Sequence, residues 1–158
     1  MYSEMLNKAL ANGFAKAAVI DAKELVYVPE YRKFCEENLC GNYNLLPVCP
    51  PACGTSEELH QRMQKYNKAL VLQTELIPVK KEHAEYLEGK KAHNILLEKL
   101  IKELELKDIL VMSCGPWKEY SCMSAYCIDA EKMAASCGMI CWGNDGIIRF
   151  FSTILFNA

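Results

Sequence analysis

The segment at residues 33–54, KFCEENLCGNYNLLPVCPPACG, places the strongest constraint on how this chain can fold. It carries four cysteines among prolines and glycines that interrupt regular helices and strands. We therefore expect an irregular loop whose thiols bind a metal, form disulfides, react, or simply pack. The four cysteines are Cys35, Cys40, Cys49 and Cys53.

The composition narrows the class of protein. The chain has 158 residues, 51% of them hydrophobic, which suits a single domain over residues 1–158 with a sizeable core. A net charge of -2 without basic clusters argues against partners such as nucleic acid or a membrane surface. We see no apolar run long enough to span a bilayer and no signal-peptide pattern, so we expect a cytoplasmic protein.

The number of cysteines also bears on the chemistry. There are nine, an odd number that does not suit a fully paired disulfide scaffold. In a reducing cytosol, clustered cysteines are more often metal ligands or redox groups than disulfides. A metal or redox role is therefore the first expectation for this chain.

The order of patterns along the chain predicts an α/β (α+β) fold. We expect a mixed sheet of about five strands with helices packed on it. Helices are predicted at 3–11, from Thr55 or Ser56 onward, over 80–107 with a weak point at Gly89, and after a cap at Asp129. Apolar runs predict strands at 15–20, 69–77, 108–113, 139–142 and 147–156. The last two, MICW and IIRFFSTILF, flank GNDG and predict a C-terminal β-hairpin, while VYVPEYRKF at 26–34 is expected to be extended.

A second cysteine region, residues 113–127, follows the third predicted strand. Its sequence, SCGPWKEYSCMSAYC, is again expected to be irregular. Irregular segments at the ends of strands often carry the functional sites of such folds. Cys114 or Cys122 could therefore approach the first cysteine region and complete a shared site.

Four thiolates suit either a tetrahedral zinc ion or a [4Fe–4S] cluster. The predicted ligands are Cys35, Cys40 and Cys49, with Cys53, Cys114 or Cys122 as the fourth. Cys49 is followed by proline, as are ligands in ferredoxin-type runs, but the spacing is not a tight C-x2-C and leaves the metal open. An iron–sulfur cluster would imply electron transfer or sensing with a redox partner protein, and zinc a structural role. The sequence does not indicate an oligomeric state or a reaction.

Two other interpretations use the same cysteines differently. A metal-free thiol enzyme or redox sensor would use Cys49 and Cys53, because the start of the helix near Ser56 would lower a thiol pKa. Alternatively the protein is a binding module whose cysteines only pack, as small apolar side chains do. Packing is the expectation for Cys127, Cys137 and Cys141.

The first cysteine region resembles a motif of a family of uncharacterised microbial proteins described as predicted metal-binding. The family shows two cysteines, a Gly-Tyr-like loop and Cys-Pro-Pro, which correspond here to Cys35, Cys40, Gly41, Tyr43 and Cys49-Pro50-Pro51. MSAYCIDAEKMAASCGM and the closing strand also resemble the family, so that the likeness extends over residues 15–156. The family usually carries a denser second cysteine group than Cys114 and Cys122. The resemblance implies metal binding and no particular reaction.

Overall fold

Two long strands, β2 (Lys68–Leu76) and β5 (Ile148–Phe156), form the centre of the sheet in the computed structural model, which describes residues 2–38 and 40–158. They pair antiparallel along their whole length. β1 (Lys16–Asp21) pairs antiparallel with β2, and β3 (Leu110–Ser113) pairs antiparallel with β5. The short β4 (Ser121–Cys122) lies parallel to β3, which gives the order β1-β2-β5-β3-β4. The predicted mixed α+β sheet of five strands is confirmed.

Five α-helices accompany the sheet: α1 (Ser3–Ala11), α2 (Arg32–Glu36), α3 (Ser56–Met63), α4 (His83–Leu104) and α5 (Ala130–Ser136). Two of them begin at the caps that the sequence predicts. The Thr55 side chain accepts a hydrogen bond from the Glu58 backbone N–H, and Asp129 accepts one from that of Lys132. None of the helices in the described part of the chain combines the length and apolar character that crossing a bilayer requires.

The sheet is covered on both faces, which explains why its central strands are almost continuously apolar. Alternate residues of β2 enter two separate cores: Leu70 and Leu72 on one side, Ala69 and Val71 on the other. The α4-side core comprises Ala9, Phe14, Leu70, Leu72, Leu97, Leu100, Val111, Ile154 and Phe156. The α5-side core includes Leu59, Met63, Ala69, Val71, Met112, Met133, Phe151 and Leu155.

The structure differs from the predicted hairpin at the C-terminus. Residues 139–142 are irregular, and β5 is the single strand of this part of the chain. Both edges of β5 are already paired, one with β2 and the other with β3, so that no edge is left for a hairpin partner. The apolar MICW segment instead lies beside the sheet, where the Gln73 side-chain amide donates a hydrogen bond to the Ile140 carbonyl at 3.0 Å.

The stretch at 26–34 is also not extended as predicted. Pro29–Tyr31 forms a 3-10 turn that leads directly into α2, and Cys35 therefore lies on a short helix. Proline at the first position of a helical turn is favourable, because its fixed φ suits the turn and it has no N–H to leave unpaired.

Gly89 does not weaken α4, which continues through it. A methyl group at this position would lie 2.8 Å from Cε2 of Phe150 and 3.0 Å from Cδ2 of Leu76. Glycine is therefore required here because the helix packs closely on the sheet, and the side chains of β2 and β5 occupy the space that a Cβ would need.

His93 is buried between α4 and the sheet, with 1% of its surface exposed. Its Nδ1 lies 2.7 Å from Thr74 Oγ1 and its Nε2 lies 2.7 Å from Ser152 Oγ. A neutral imidazole satisfies both contacts, since one nitrogen donates and the other accepts. Burial lowers the pKa of His93 to about 3, so the ring stays neutral in the folded protein near neutral pH.

This histidine should make the protein sensitive to mild acid. An unfolded histidine binds a proton near pH 6.5, whereas folded His93 does not until the pH approaches about 3, so stability is complete above pH 6.5 and falls as the pH is lowered. Between about pH 7.5 and about pH 5 the free energy of unfolding should drop by roughly 2 kcal/mol in urea denaturation. The H93Q variant should be less stable at neutral pH and lose most of this dependence. Equal pH dependence in both proteins would contradict the assignment.

Candidate metal centre

A cavity of about 270 Å³, the thiol cavity, lies at the end of the sheet where β3 ends and β5 begins. Its walls come from both cysteine regions, from α4 and from the segment before β5. The thiol cavity is lined by six cysteines: Cys35, Cys40, Cys49, Cys114, Cys122 and Cys141. None of its described lining residues is acidic, so its metal donors are soft sulfur atoms, which suit zinc and iron–sulfur clusters.

Arg32 holds the first cysteine region against the second. Its Nη1 donates a hydrogen bond to the Gly54 carbonyl at 2.7 Å, and its Nη2 donates one to the Ala125 carbonyl at 2.9 Å. Arg32 begins α2, the helix that carries Cys35. One side chain thus connects the start of the first region, its end and the second region.

A second link joins the immediate neighbours of two candidate ligands. The Ser121 hydroxyl donates a hydrogen bond to the Val48 carbonyl at 2.7 Å, and these residues adjoin Cys122 and Cys49. Cys122 belongs to β4 and lies opposite Ser113 of β3. The Cys49 thiol is buried, with 5% of the residue exposed.

Cys114 is held from the helix side by Asn94, which is buried on α4. The Asn94 Nδ2 donates to the Cys114 carbonyl at 2.8 Å, and the Cys114 N–H donates to Asn94 Oδ1 at 3.0 Å. Both polar groups of this side chain are therefore used to fix the Cys114 backbone where it leaves β3.

Burial keeps these thiols protonated. It raises the pKa of Cys35 to about 12 and that of Cys49 to about 11, and the nearby Cys122 adds to both shifts. Burial also raises the pKa of Cys114 to about 12, against the attraction of Lys90. Several thiolates side by side would repel one another unless a cation lay among them.

The raised pKa values argue against a metal-free reactive thiol. That hypothesis needs a lowered pKa at Cys49 or Cys53. The pKa of Cys49 is raised, and burial raises the pKa of Cys53 as well. The start of α3 therefore does not create the thiolate that the sequence suggested.

The thiols share a cavity without forming a finished coordination site. Within residues 2–38 and 40–158, no group of three or more Cys, His, Asp or Glu side chains stands in an arrangement that could hold a metal ion. The donor set fits a thiol-binding metal in its chemistry, while its sulfurs would have to converge to bind one. Cys40, which is exposed on the loop after α2, is the least constrained of them.

Of the six predicted ligands, Cys35, Cys40, Cys49, Cys114 and Cys122 line the thiol cavity and Cys53 does not. Cys53 packs against the α5-side core, with its thiol 3.8 Å from the Gly54 carbonyl oxygen. Cys127 is fully buried and Cys137 packs against the same core, as expected for packing residues.

Sequence reasoning missed three cavity residues: Cys141, Lys90 and Arg149. Cys141 was expected to pack in a strand; it contacts the α5-side core but also lines the thiol cavity. Lys90 could have been noticed from its helical spacing with Tyr86 and Asn94, whereas nothing local distinguishes Arg149.

The Ser121 hydroxyl should be needed to hold the two cysteine regions together. In S121A the Val48 carbonyl loses its partner, so we expect about 1 kcal/mol less stability. Iodoacetamide should also alkylate Cys49 and Cys122 faster, as measured by mass spectrometry of metal-free protein. The control is S136A, which removes an exposed hydroxyl bonded within α5. Equal alkylation rates in S121A and S136A would show that the link does not hold the thiols.

Comparison with known proteins agrees with the chemistry of this site. Residues 18–118, well over half of the chain, match a family described as predicted metal-binding protein (DUF2284). The match includes the first cysteine region and Cys114 and ends before Cys122. It confirms the resemblance over residues 18–118 and tests neither the Cys-Pro-Pro motif nor the likeness of residues 119–156. Neither curated proteins nor solved structures gave a match. The chain belongs to this family of predicted metal-binding proteins.

Proposed function

We propose that the protein binds an iron–sulfur cluster through Cys35, Cys40, Cys49 and Cys122, and that it serves electron transfer or sensing. The observation that carries this proposal is the thiol cavity, in which five of the six predicted ligands from two distant segments meet. If these cysteines served only packing, nothing would require them to face one shared space. The family membership supports metal binding and leaves the metal open.

The choice of four ligands follows from their positions. Cys35, Cys40 and Cys49 of the first cysteine region and Cys122 of the second all line the thiol cavity, whereas Cys53 does not. The hydrogen bond between Ser121 and Val48 joins the neighbours of Cys122 and Cys49. Cys114 lies toward Lys90 and α4, and its backbone is fixed by Asn94. We expect Cys114 to contact the bound group from the side of the sheet.

The cavity has room for a cluster. A site of about 10–15 Å³ measured by a water-sized probe holds one water molecule, so about 270 Å³ admits a cluster as well as a single ion. A bound cluster would supply one-electron chemistry. The surrounding residues position the thiols: Arg32 and Ser121 hold the two cysteine regions together, and the buried Phe150 and Phe151 form an apolar part of the cavity wall. A zinc ion that ties the loop to β4 is the second candidate.

All nine cysteines are free thiols, which supports a function in a reducing compartment such as the cytoplasm. Electron transfer would require a redox partner protein. The exposed Trp142 indole beside the thiol cavity would be available to such a partner.

Metal content measured after anaerobic purification tests the proposal. We expect iron and acid-labile sulfide together with broad absorption near about 400 nm, whereas one zinc per colourless chain would support the second candidate. C35S, C49S and C122S should each lose most of the metal. C137S, which changes a packing thiol outside the cavity, should keep it. Equal metal content in C122S and C137S would contradict the ligand assignment, and protein without any metal would contradict the function.

Removing the metal should also destabilise the fold. A group that binds only the folded state adds its binding free energy to stability. Anaerobic treatment with a chelator should therefore lower the thermal midpoint, and reconstitution should restore it. C122S should have a low midpoint that the chelator no longer changes. An unaffected midpoint in the wild type would instead support the interpretation as a binding module with packing cysteines.

A further inference from the structure

A second cavity of about 540 Å³, the lysine cavity, adjoins the thiol cavity. One wall is a stripe along α4, and the opposite wall comes from the two cysteine regions. The α4 stripe consists of His83, Tyr86, Leu87, Lys90, Lys91 and Asn94. Cys40, Tyr86, Lys90 and Cys114 line both cavities, so the two form one continuous groove.

Among the described residues that line this groove, the charged side chains are basic and none is acidic. The chain has 20 acidic and 18 basic residues, yet no Asp or Glu is among the described residues that line either cavity. Lys90 and Lys91 both line the lysine cavity, and neither forms a salt bridge within the described part of the chain. Arg149 also lines the thiol cavity, but its guanidinium is paired with Asp145 at 2.7 Å. The two lysines thus leave an uncompensated positive charge in a concave site.

Other hydrogen-bond donors near the groove already have partners. Glu85, in the first turn of α4, accepts hydrogen bonds from the backbone N–H groups of Val79 and Lys80, which precede the helix. Asn94 gives both of its polar groups to Cys114. Lys90 is the cation that faces the thiols, since it lies near Cys114, whereas Lys91 has no such partner there. Proximity to the thiols therefore explains a role for Lys90 and leaves Lys91 available to bind a ligand.

Aromatic rings form the remaining walls. The Lys90 ammonium lies 5.2 Å from the centre of the Tyr86 ring, which stacks with His83. Across the cavity, Trp117 is held in place because its Nε1 donates to Glu98 at 2.9 Å. Two fixed rings leave a space with apolar sides next to the two ammonium groups, as in binding sites for small organic molecules.

We propose that the lysine cavity binds a small organic anion, with its carboxylate or phosphate group against Lys90 and Lys91. The apolar part of the ligand lies between Tyr86 and Trp117, and its other end reaches the opening to the thiol cavity beside Cys114. This site goes beyond the proposed metal centre and does not depend on it, because none of Lys90, Lys91, Tyr86 and Trp117 is a proposed metal ligand.

Isothermal titration calorimetry on the anaerobically purified full chain tests the site. Benzoate and phenyl phosphate serve as the carboxylate and phosphate probes at constant ionic strength, because each carries an apolar ring and chelates metal weakly. Sodium chloride is the blank, and metal content is measured in every sample. We expect saturable binding of at least one anion. The K90Q/K91Q variant should weaken it about tenfold or more, because two charge-assisted contacts are lost. The stronger probe indicates whether the ligand is a carboxylate or a phosphate.

The matched control is K99Q/K102Q, which removes the same charge from exposed positions of α4 outside both cavities. Its affinity should stay within about twofold of the wild type, since exposed charges at a distance are screened. Absence of saturable binding by either anion, or equal weakening in both double variants, would overturn the proposal. It would also be overturned if K90Q/K91Q lost metal but bound anions as before, because the lysines would then serve only the thiols. Loss of metal in C122S with anion binding retained would separate this site from the metal centre.

Discussion

The hydrogen bond from Ser121 to the Val48 carbonyl brings the two cysteine regions together, and the candidate site depends on this contact. It joins a loop that has no sheet pairing of its own to β4, the edge strand beside β3. Arg32 adds a second connection between the same regions. A backbone hydrogen bond from the Val28 N–H to the Cys127 carbonyl at 2.8 Å adds a third connection, just before α2. Together these contacts fix the thiols of the first region relative to Cys122. The antiparallel core of β2 and β5 supplies the rigid support, since it fixes β3 and therefore the position at which β4 can pair.

The pKa values of the cysteines in the thiol cavity indicate which chemistry these thiols can perform. Buried thiols with raised pKa values are poor nucleophiles at neutral pH, which disfavours a metal-free reactive cysteine. A cation or cluster among them would make the thiolate form favourable and draw the sulfurs together. In the described part of the chain these thiols line one cavity, although no three of them stand in an arrangement that could hold a metal ion. Next to the thiols, Lys90 and Lys91 give the adjoining space a positive charge.

The parts of the structure that could be predicted from the sequence are those determined by residues close together in the chain. Thr55 and Asp129 cap helices through their own side chains, and the apolar run of β2 reflects burial on both faces. The C-terminal hairpin was predicted wrongly because the pairing of β5 is decided by distant strands. For the same reason Cys53, which is close in sequence to Cys49, lies outside the thiol cavity, while Cys141 lines it from the far end of the chain. Gly89 is a weak point of the helical pattern in the sequence, yet the fold requires it, because a Cβ there would lie too close to Phe150.

X-ray absorption at the metal edge shows whether cysteines from both regions share one centre. For the anaerobically purified protein we expect a first shell dominated by sulfur at about 2.3 Å. In C122S any retained metal should show one sulfur fewer, because Cys122 is the proposed ligand from the second region. A first shell of oxygen and nitrogen, or an unchanged sulfur shell in C122S, would contradict a shared thiolate centre.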